Sequence, residues 1–344
     1  MSPRDGGGGP TALVTGVSAL VSGATGFLGS RLAVALKEEG YSVRALARPS
    51  GDVSRLAAGG IEIATGDLAD EESLARAAAG RQLVFHTAGR VSDWGGAEAF
   101  RRANIAGTAR VIAACRRGRV RRLVHVSSLT VLGLGRDGAS VDEATPVASR
   151  AADPYSASKI AGEELVRRAH GQDGLETVVV RPGVIWGPGD ATFLPRFASL
   201  LRQGRMILVG GGRNRVALSH VDNLVRGMLL AAVAPAAAGQ VYHLTDGEDI
   251  TAAEAFRLLA AALGVPPPRR SLPFAVAFAV AFLMEAWARL RRRAEPPAFT
   301  RYGVRLVASD GRYDIIKARR ELGYRPGITF RQGVAALASG GMLS

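Results

Sequence analysis

Tyr155 and Lys159 stand four residues apart in Tyr155-Ser156-Ala157-Ser158-Lys159, at the start of a stretch that reads as helical, so both side chains fall on one helix face. A nearby ammonium favours a phenolate and lowers the tyrosine pKa toward the working range, as a group that gives and takes a proton beside a carbonyl requires. Lysine occurs only at 37, 159 and 317 in an arginine-rich chain, and arginine could supply the charge but not a compact ammonium. The spacing by itself is common by chance. What raises it is Ser127-Ser128 at the C-terminal end of an upstream apolar strand, the edge at which open α/β sheets bind ligands.

A second constellation is Gly23-Ala24-Thr25-Gly26-Phe27-Leu28-Gly29, which follows an apolar run over 19–22 and opens a helical one. In that setting the first glycine permits a tight turn, the second lets backbone approach a pyrophosphate, and the third lets helix pack on strand; the helix N-terminus then holds the anion. The next strand ends Val43-Arg44-Ala45-Leu46-Ala47-Arg48, with no carboxylate to bind a ribose 2′-hydroxyl. Arg44 and Arg48 therefore favour NADPH/NADP⁺ over the alternative, NADH/NAD⁺, against the competing view that both belong to the arginine surplus. Gly66-Asp67-Leu68 follows another strand, where Asp67 could accept from an adenine amino group.

The elements that must position these groups are strands over 42–47, 61–65, 83–87, 122–126 and 177–180, alternating with helices over 30–39, 71–79, 97–116 and 156–170. Such alternation predicts an α/β fold, a Rossmann-type doubly wound parallel sheet. Past about 185 the text changes to Pro/Gly punctuation and a long apolar stretch, which predicts a smaller C-terminal α/β substrate domain. The expected division is a flexible extension over 1–17, a dinucleotide-binding domain over 18–185 plus about 216–246, and a substrate domain over about 186–215 plus 247–344.

In order along the chain, SGATGFLG, GDL, VFHTAG, NIAGT, VHVSSLTVLG, DPYSASKIAGEE, RPGVIWGPGD, SHVDN and KARRELGYRP cover nearly all of it. With these motifs it resembles an extended short-chain dehydrogenase/reductase of the NAD-dependent epimerase/dehydratase superfamily, in the 3β-hydroxysteroid dehydrogenase-like branch. The resemblance implies Tyr155 as general acid/base, Lys159 as binder of the nicotinamide ribose, and Ser128 as hydrogen-bond partner of the substrate oxygen. Ser128 is preferred to Ser127 because family members place the catalytic hydroxyl five residues before the glycine matched by Gly133. Cofactor contacts are implied for Gly23, Thr25, Gly26, Phe27, Leu28, Gly29, Asp67, Leu68, Thr87, Ala88, Gly89, Val126, Pro182 and Val184. Arg181 should pass beside the nicotinamide with Pro182 and Val184. Asn104 reads as a helix-loop stabiliser, and His220, Asp222 and Asn223 as a scaffold turn.

Composition sets the outer limits. With 344 residues, 47% hydrophobic and 22% charged, the chain can bury a core and is neither disordered nor collagen-like. A single cysteine, Cys115, excludes a disulfide scaffold and fits a reducing cytoplasm. The opening residues lack the apolar segment of a secretory signal. A net charge of +14 raises nucleic acid, anionic membrane or anionic cofactor as partners, but no groove-docking motif accompanies it, so nucleic acid is not expected, nor is a metal.

The run from Ser271 to Met284 is uncharged and precedes Arg291, Arg292 and Arg293. It is shorter than the roughly 20 residues a bilayer span needs, and a helix apolar all round must bury itself somewhere. Three readings compete for 272–293: core or lid helix, peripheral membrane contact, and dimer contact, a homodimer being the family habit. Trp94, Trp186 and Phe193 are candidate walls of an apolar substrate pocket. The leading expectation is NADP(H)-dependent interconversion of a ketone and a secondary alcohol on a hydrophobic small molecule: a steroid, terpenoid, long-chain or polyketide-like ketone. The rivals are a nucleotide-sugar epimerase with tightly bound NAD and a non-catalytic NADP-binding regulator. Leu129-Thr130 replaces the acidic pair that sugar-nucleotide dehydratases use after the serine.

Overall fold

A computed structural model describes residues 16–134, 140–151, 153–293 and 295–341; the expected extension over 1–17 lies, but for its last two residues, outside the described residues. The chain begins as a regular alternation: β1 (Ser18–Ser22), α1 (Phe27–Glu38), β2 (Ser42–Ala47), α2 (Ser54–Ala58), β3 (Glu62–Thr65), α3 (Glu71–Ala78) and β4 (Leu83–His86). Next come α4 (Ala97–Phe100) and α5 (Gly107–Arg117), joined by a π-helical turn over Arg101–Ala106, then β5 (Arg122–Val126). After β6 (Ser140–Val141) follow α6 (Pro154–Arg168), β7 (Glu176–Pro182), β8 (Val184–Trp186), α7 (Phe193–Arg202), β9 (Ile207–Val209), β10 (Leu218–His220), α8 (Val221–Val233) and β11 (Val241–Leu244). The remainder holds α9 (Ala252–Ala262), β12 (Arg270–Leu272), α10 (Phe274–Leu290), α11 (Arg301–Ala308), β13 (Arg312–Tyr313), α12 (Ile316–Leu322) and α13 (Phe330–Ser339).

Seven strands form one sheet in the order β11-β7-β5-β4-β1-β2-β3, every pairing parallel. Parallel neighbours require crossover helices, which cover both faces, so β4, β5 and β11 are buried at every residue. Leu32 and Leu36 of α1 pack with Leu224 and Met228 of α8 on one face; Leu74 of α3, Val111 of α5 and Val166 of α6 fill the other. This is the Rossmann-type doubly wound sheet. Because β2 and β3 lie to one side of β1 and β4 to the other, strand order reverses between β1 and β4, opening a crevice at their C-terminal ends.

A buried arginine ties the sheet to its cover. Arg122 bonds Glu176 at 2.8 Å and donates to the carbonyls of Ala231, Ala232 and Ala234 at the end of α8, positive charge where helix carbonyls lack partners.

Beyond β7 a second apolar cluster gathers α7, α9 and α13 around Trp186. The expectation of Trp186 as a pocket wall is corrected here: it is fully buried, its ring packs 4.7 Å from both His220 and Phe330, and its Nε1 donates to Asp246 at 2.8 Å. Of the three readings for 272–293, that of a helix sunk in the chain's own core is corrected too. Only Ala277, Ala281, Glu285 and Ala288 of α10 are buried, a stripe mostly of small residues facing α11; Phe278 packs at its edge, and seven large side chains, Leu283 and Leu290 among them, are exposed. Among the described residues no helix is long and apolar enough to cross a membrane.

Trp186→Ala should therefore act as a core deletion, costing about 3–5 kcal/mol. Urea unfolding checks this: the midpoint should fall markedly while dinucleotide affinity of the folded fraction stays unchanged.

Candidate active site

The local sequence sets the start of α6. Asp153 caps it by accepting from the Ser156 amide at 2.8 Å, and Pro154 occupies the first turn, where its missing N–H costs nothing. Tyr155 and Lys159 then stand one turn apart, both buried. Ser128 follows β5 and caps a short 3₁₀ turn over Leu129–Leu132, its hydroxyl accepting from Thr130 and easing ionisation of the Tyr155 phenol. Lys159 Nζ donates to the Val126 carbonyl at 2.9 Å.

Burial, foremost, pushes the Tyr155 phenol up to about 12, with the Asp153 charge adding and the Ser128 bond opposing. Burial likewise brings Lys159 down to about 8 against the pull of Glu163. The expected lowering of the phenol by Lys159 is thus corrected: the ammonium is committed to a backbone carbonyl, and desolvation dominates. At neutral pH the phenol keeps its proton.

Beneath this pair lies a buried network. Ser127 Oγ donates to Glu163 at 2.6 Å, and Glu163 receives Arg181 at 2.5 and 3.1 Å, both ion-pair partners being 2% exposed. Ser127 is therefore engaged away from Tyr155, and Arg181 is corrected from a nicotinamide neighbour to a strut linking β7 to α6. Asn104 bonds the Arg90 amide and carbonyl and Ser158, fixing the π-turn against α6, where a Cβ on Gly162 would come within 2.8 Å of the Asn104 carbonyl oxygen.

The glycine loop fits a dinucleotide by what it excludes. Gly23 has φ +75°, and a Cβ there would lie 2.7 Å from the Ala88 backbone; one on Gly29 would overlap the Gly23 carbonyl. Gly26, at the start of α1, offers no capping side chain, and the first turn holds no acid, leaving amides open to an anion. A Cβ on Gly89 would stand 3.1 Å from Asn104 Oδ1 and 3.6 Å from Lys159 Nζ, so the crevice runs from the glycine loop to the Tyr155 end. Thr87 Oγ1 donates to the Ser22 carbonyl, joining β4 to β1. Leu28 packs in the core, Phe27 stands beside Gly189, and Pro182 and Val184 flank the bend between β7 and β8. These residues could hold the adenosine, pyrophosphate and nicotinamide parts of a bound dinucleotide.

The two arginines part company. Arg44 lies in mid-strand; its Nε bonds Glu62 at 2.7 Å and its Nη1 donates to the carbonyls of Arg76, Ala77 and Ala79 at the end of α3. Helix α3 ends where β4 begins, opposite the crevice, so the expectation of Arg44 as a phosphate ligand is corrected. Arg48 is exposed just past β2, and its turn closes on the glycine loop: a Cβ on Gly51 would meet Thr25 Cγ2 at 3.1 Å and the Arg48 carbonyl at 3.2 Å. Asp67 is half-buried, accepting from the Ala69 amide at 2.8 Å, while Leu68 packs beside Gly107.

On the substrate side, sequence reasoning missed Tyr302 and Phe100. The Tyr302 ring stands edge-on to Tyr155 at 5.9 Å and Phe100 at 6.3 Å. Tyr302 arrives on α11, far along the chain, with no motif to signal it. Trp94 donates its indole N–H to the Arg293 carbonyl at 3.2 Å, and Phe193 packs on Phe197 at 4.8 Å. His220, Asp222 and Asn223 do scaffold work: His220 caps α8, Asp222 pairs with Arg31 at 2.5 Å, and Asn223 holds the chain around Gly327 and Ile328.

A parallel doubly wound sheet with a glycine crevice ending at a Tyr/Lys/Ser cluster defines an extended short-chain dehydrogenase/reductase. The sequence model of the NAD dependent epimerase/dehydratase family matches residues 19–245, and the chain belongs to that family. It is 40% identical over 322 residues, 93% of this chain and 96% of the relative, to 4-hydroxy-2-methyl-3-oxo-4-farnesyl-3,4-dihydroquinoline-1-oxide ketoreductase of Stigmatella aurantiaca. It is 35% identical over 331 residues, 92% of this chain and 88% of the relative, to a 3 beta-hydroxysteroid dehydrogenase/Delta 5-->4-isomerase of Mycobacterium tuberculosis. The crystal structure of gox2253 superposes with a TM-score of 0.78 at 31% identity, over 95% of this chain and 99% of that one. The chain is an NAD(P)-dependent oxidoreductase of the CH–OH/C=O type in the 3β-hydroxysteroid dehydrogenase-like branch.

In an ultraviolet titration of the free protein against Tyr155→Phe, the phenolate of Tyr155 should emerge only near pH 12. Affinity for a nicotinamide dinucleotide should hold below pH 8 and weaken as pH rises through about 8, where Lys159 loses its proton. Lys159→Met should abolish that step; a step that survives would assign it elsewhere.

Proposed function

We propose that this chain interconverts a ketone and a secondary alcohol on a hydrophobic substrate, using NADP(H). The observation that carries the reading is the buried Tyr155, one helical turn from the buried Lys159 and walled by the rings of Tyr302 and Phe100. A bound nicotinamide supplies the hydride equivalent. For reduction, Tyr155 gives its phenolic proton to the substrate oxygen, and Ser128 donates a hydrogen bond to the charge developing there. Lys159 anchors the ribose from the floor of the crevice. The relatives' farnesyl-quinoline and steroid names support an apolar substrate.

Preference for the 2′-phosphate rests on Arg48, beside the glycine loop on a strand end without a carboxylate. The buried thiol of Cys115 suits a reducing cytoplasm, and a homodimer follows family habit.

Tyr155→Phe should lower kcat by about 10²–10⁴-fold with cofactor affinity nearly intact, in a stopped-flow and equilibrium-binding comparison. Arg48→Ala should weaken NADPH about tenfold and leave NADH unchanged, whereas Arg44→Ala should alter stability but not the ratio of the two affinities. Thermal shifts with NADPH, NADP⁺, NADH, NAD⁺ and UDP-glucose test the reading against the epimerase: a ligand at ~100 times its Kd adds about 2.7 kcal/mol, NADPH and NADP⁺ alone should stabilise, and stabilisation by NAD(H) and UDP-glucose would reverse the reading.

A further inference from the structure

We infer that Thr130 is a positioning residue that fixes Ser128 as a hydrogen-bond donor toward the Tyr155 end of the crevice. This role serves the proposed ketone reduction and rests on that reading. The Thr130 amide stands 3.3 Å and the Thr130 hydroxyl 3.1 Å from Ser128 Oγ, and both donate to it. A serine oxygen has two lone pairs and one proton. With both lone pairs taken, the role left to Ser128 is to give its own hydrogen bond away.

The direction of that one O–H matters for the chemistry. A serine free to rotate could accept from the Tyr155 phenol, which would aim the proton meant for the substrate oxygen at Ser128 instead. Held as a donor, Ser128 leaves the phenolic proton to the substrate and adds a bond to the oxygen as charge develops on it. Two donors polarising Ser128 Oγ also strengthen its own O–H as a donor. The easing of Tyr155 ionisation by Ser128 has the sign of donation to the phenolate, not of acceptance from the phenol. Ser128 keeps its proton throughout; the one transferred is that of Tyr155.

The arrangement is built locally. Ser128 is extended, at φ −161° and ψ 150°, and caps the 3₁₀ turn, so the amide two residues on folds back to its side chain. Leu129, Val131 and Leu132 sink into an apolar cluster with Val141 and with Ile160, the neighbour of Lys159 on α6. The Val131 carbonyl accepts from the Ala148 amide at 2.9 Å, and the turn ends at Gly133, whose φ is +89°. Thr130 is itself buried, and its hydroxyl donates to no other group among the described residues. Residue type matters as well as place. An ionised acid at 130, of the kind dehydratases carry after the serine, has no proton to give and would turn the Ser128 hydroxyl toward itself.

The test places difluorotyrosine at 155 in the full-length protein and follows its ionisation by fluorine NMR, with no substrate present. Thr130→Val should raise the midpoint, because Ser128 becomes a weaker donor to the phenolate and is free to accept from the phenol. Thr130→Ser should restore it, and Thr130→Ala repeats the comparison without the bulk of valine. In a Ser128→Ala background the same changes at 130 should leave the midpoint where it is. With the natural Tyr155, Thr130→Val should lower kcat for reduction of trans-1-decalone by NADPH about three- to tenfold, with NADPH affinity unchanged. The inference is overturned if the midpoint of Thr130→Val and Thr130→Ala matches the parent's, if it shifts equally in Ser128→Ala, if Thr130→Ser fails to restore it, or if decalone turnover is the same with and without the Thr130 hydroxyl. Because the titration reads no reduction, it decides the role of Thr130 whether or not decalone is turned over. Full turnover by Ser128→Ala would instead overturn the part given to Ser128 in the proposed reaction.

Discussion

A carboxylate closed off from water holds the Tyr155 end of the crevice together. Glu163 points from α6 into the sheet, where it takes Arg181 from β7 and the hydroxyl of Ser127, the residue after β5. Removing either partner of such a pair strands a charge in a low-dielectric interior, a cost of about 3–5 kcal/mol, so α6 has a single register against the two strands. That register decides where Tyr155 and Lys159 emerge and sets Lys159 on the Val126 carbonyl. The same carboxylate pulls the Lys159 pKa upward while burial pulls it down, and burial prevails.

The other end of the crevice is governed by exclusion. Gly23 and Gly29 are required because neighbouring backbone already occupies the space a side chain would take, which brings α1 down onto β1 and β4 and exposes its first amides. Between the two ends the reach of the strands matters as much as residue type. Arg44 and Arg48 are four residues apart on one strand, yet one guanidinium closes the far end of α3 and the other is free at the crevice rim. A strand rises about 3.3 Å per residue, so four residues separate the two positions by about 13 Å, more than a side chain spans.

The C-terminal elements add what the doubly wound sheet lacks. The pair α10–α11 meets along small residues, Ala277 and Ala281, so the helices approach closely, and most of the large side chains of α10 are left outside. One member of the pair brings an aromatic ring to Tyr155; the other carries seven of the ten exposed large hydrophobic side chains among the described residues.

Much of this was legible in the sequence. Alternating apolar runs and helical stretches gave the order of elements, since period and punctuation are local properties, and the glycine loop and the Tyr155–Lys159 turn are short enough to be read as motifs. Their scaffold turn, His220 to Asn223, was read as scaffold for the same reason. What only the tertiary structure decided are the partnerships across long sequence distances: Tyr302 against Tyr155, Glu163 with Arg181, Trp186 sealed beneath Phe330, and the division between Arg44 and Arg48. The protonated state of Tyr155 belongs with these. Spacing gives the distance from a phenol to an ammonium, but the pKa follows from how much water the folded chain excludes around both, and exclusion is a sum over residues from every part of the chain. The exposure of α10 is the same lesson reversed. An all-apolar segment announces that it avoids water, and only packing tells whether protein covers it.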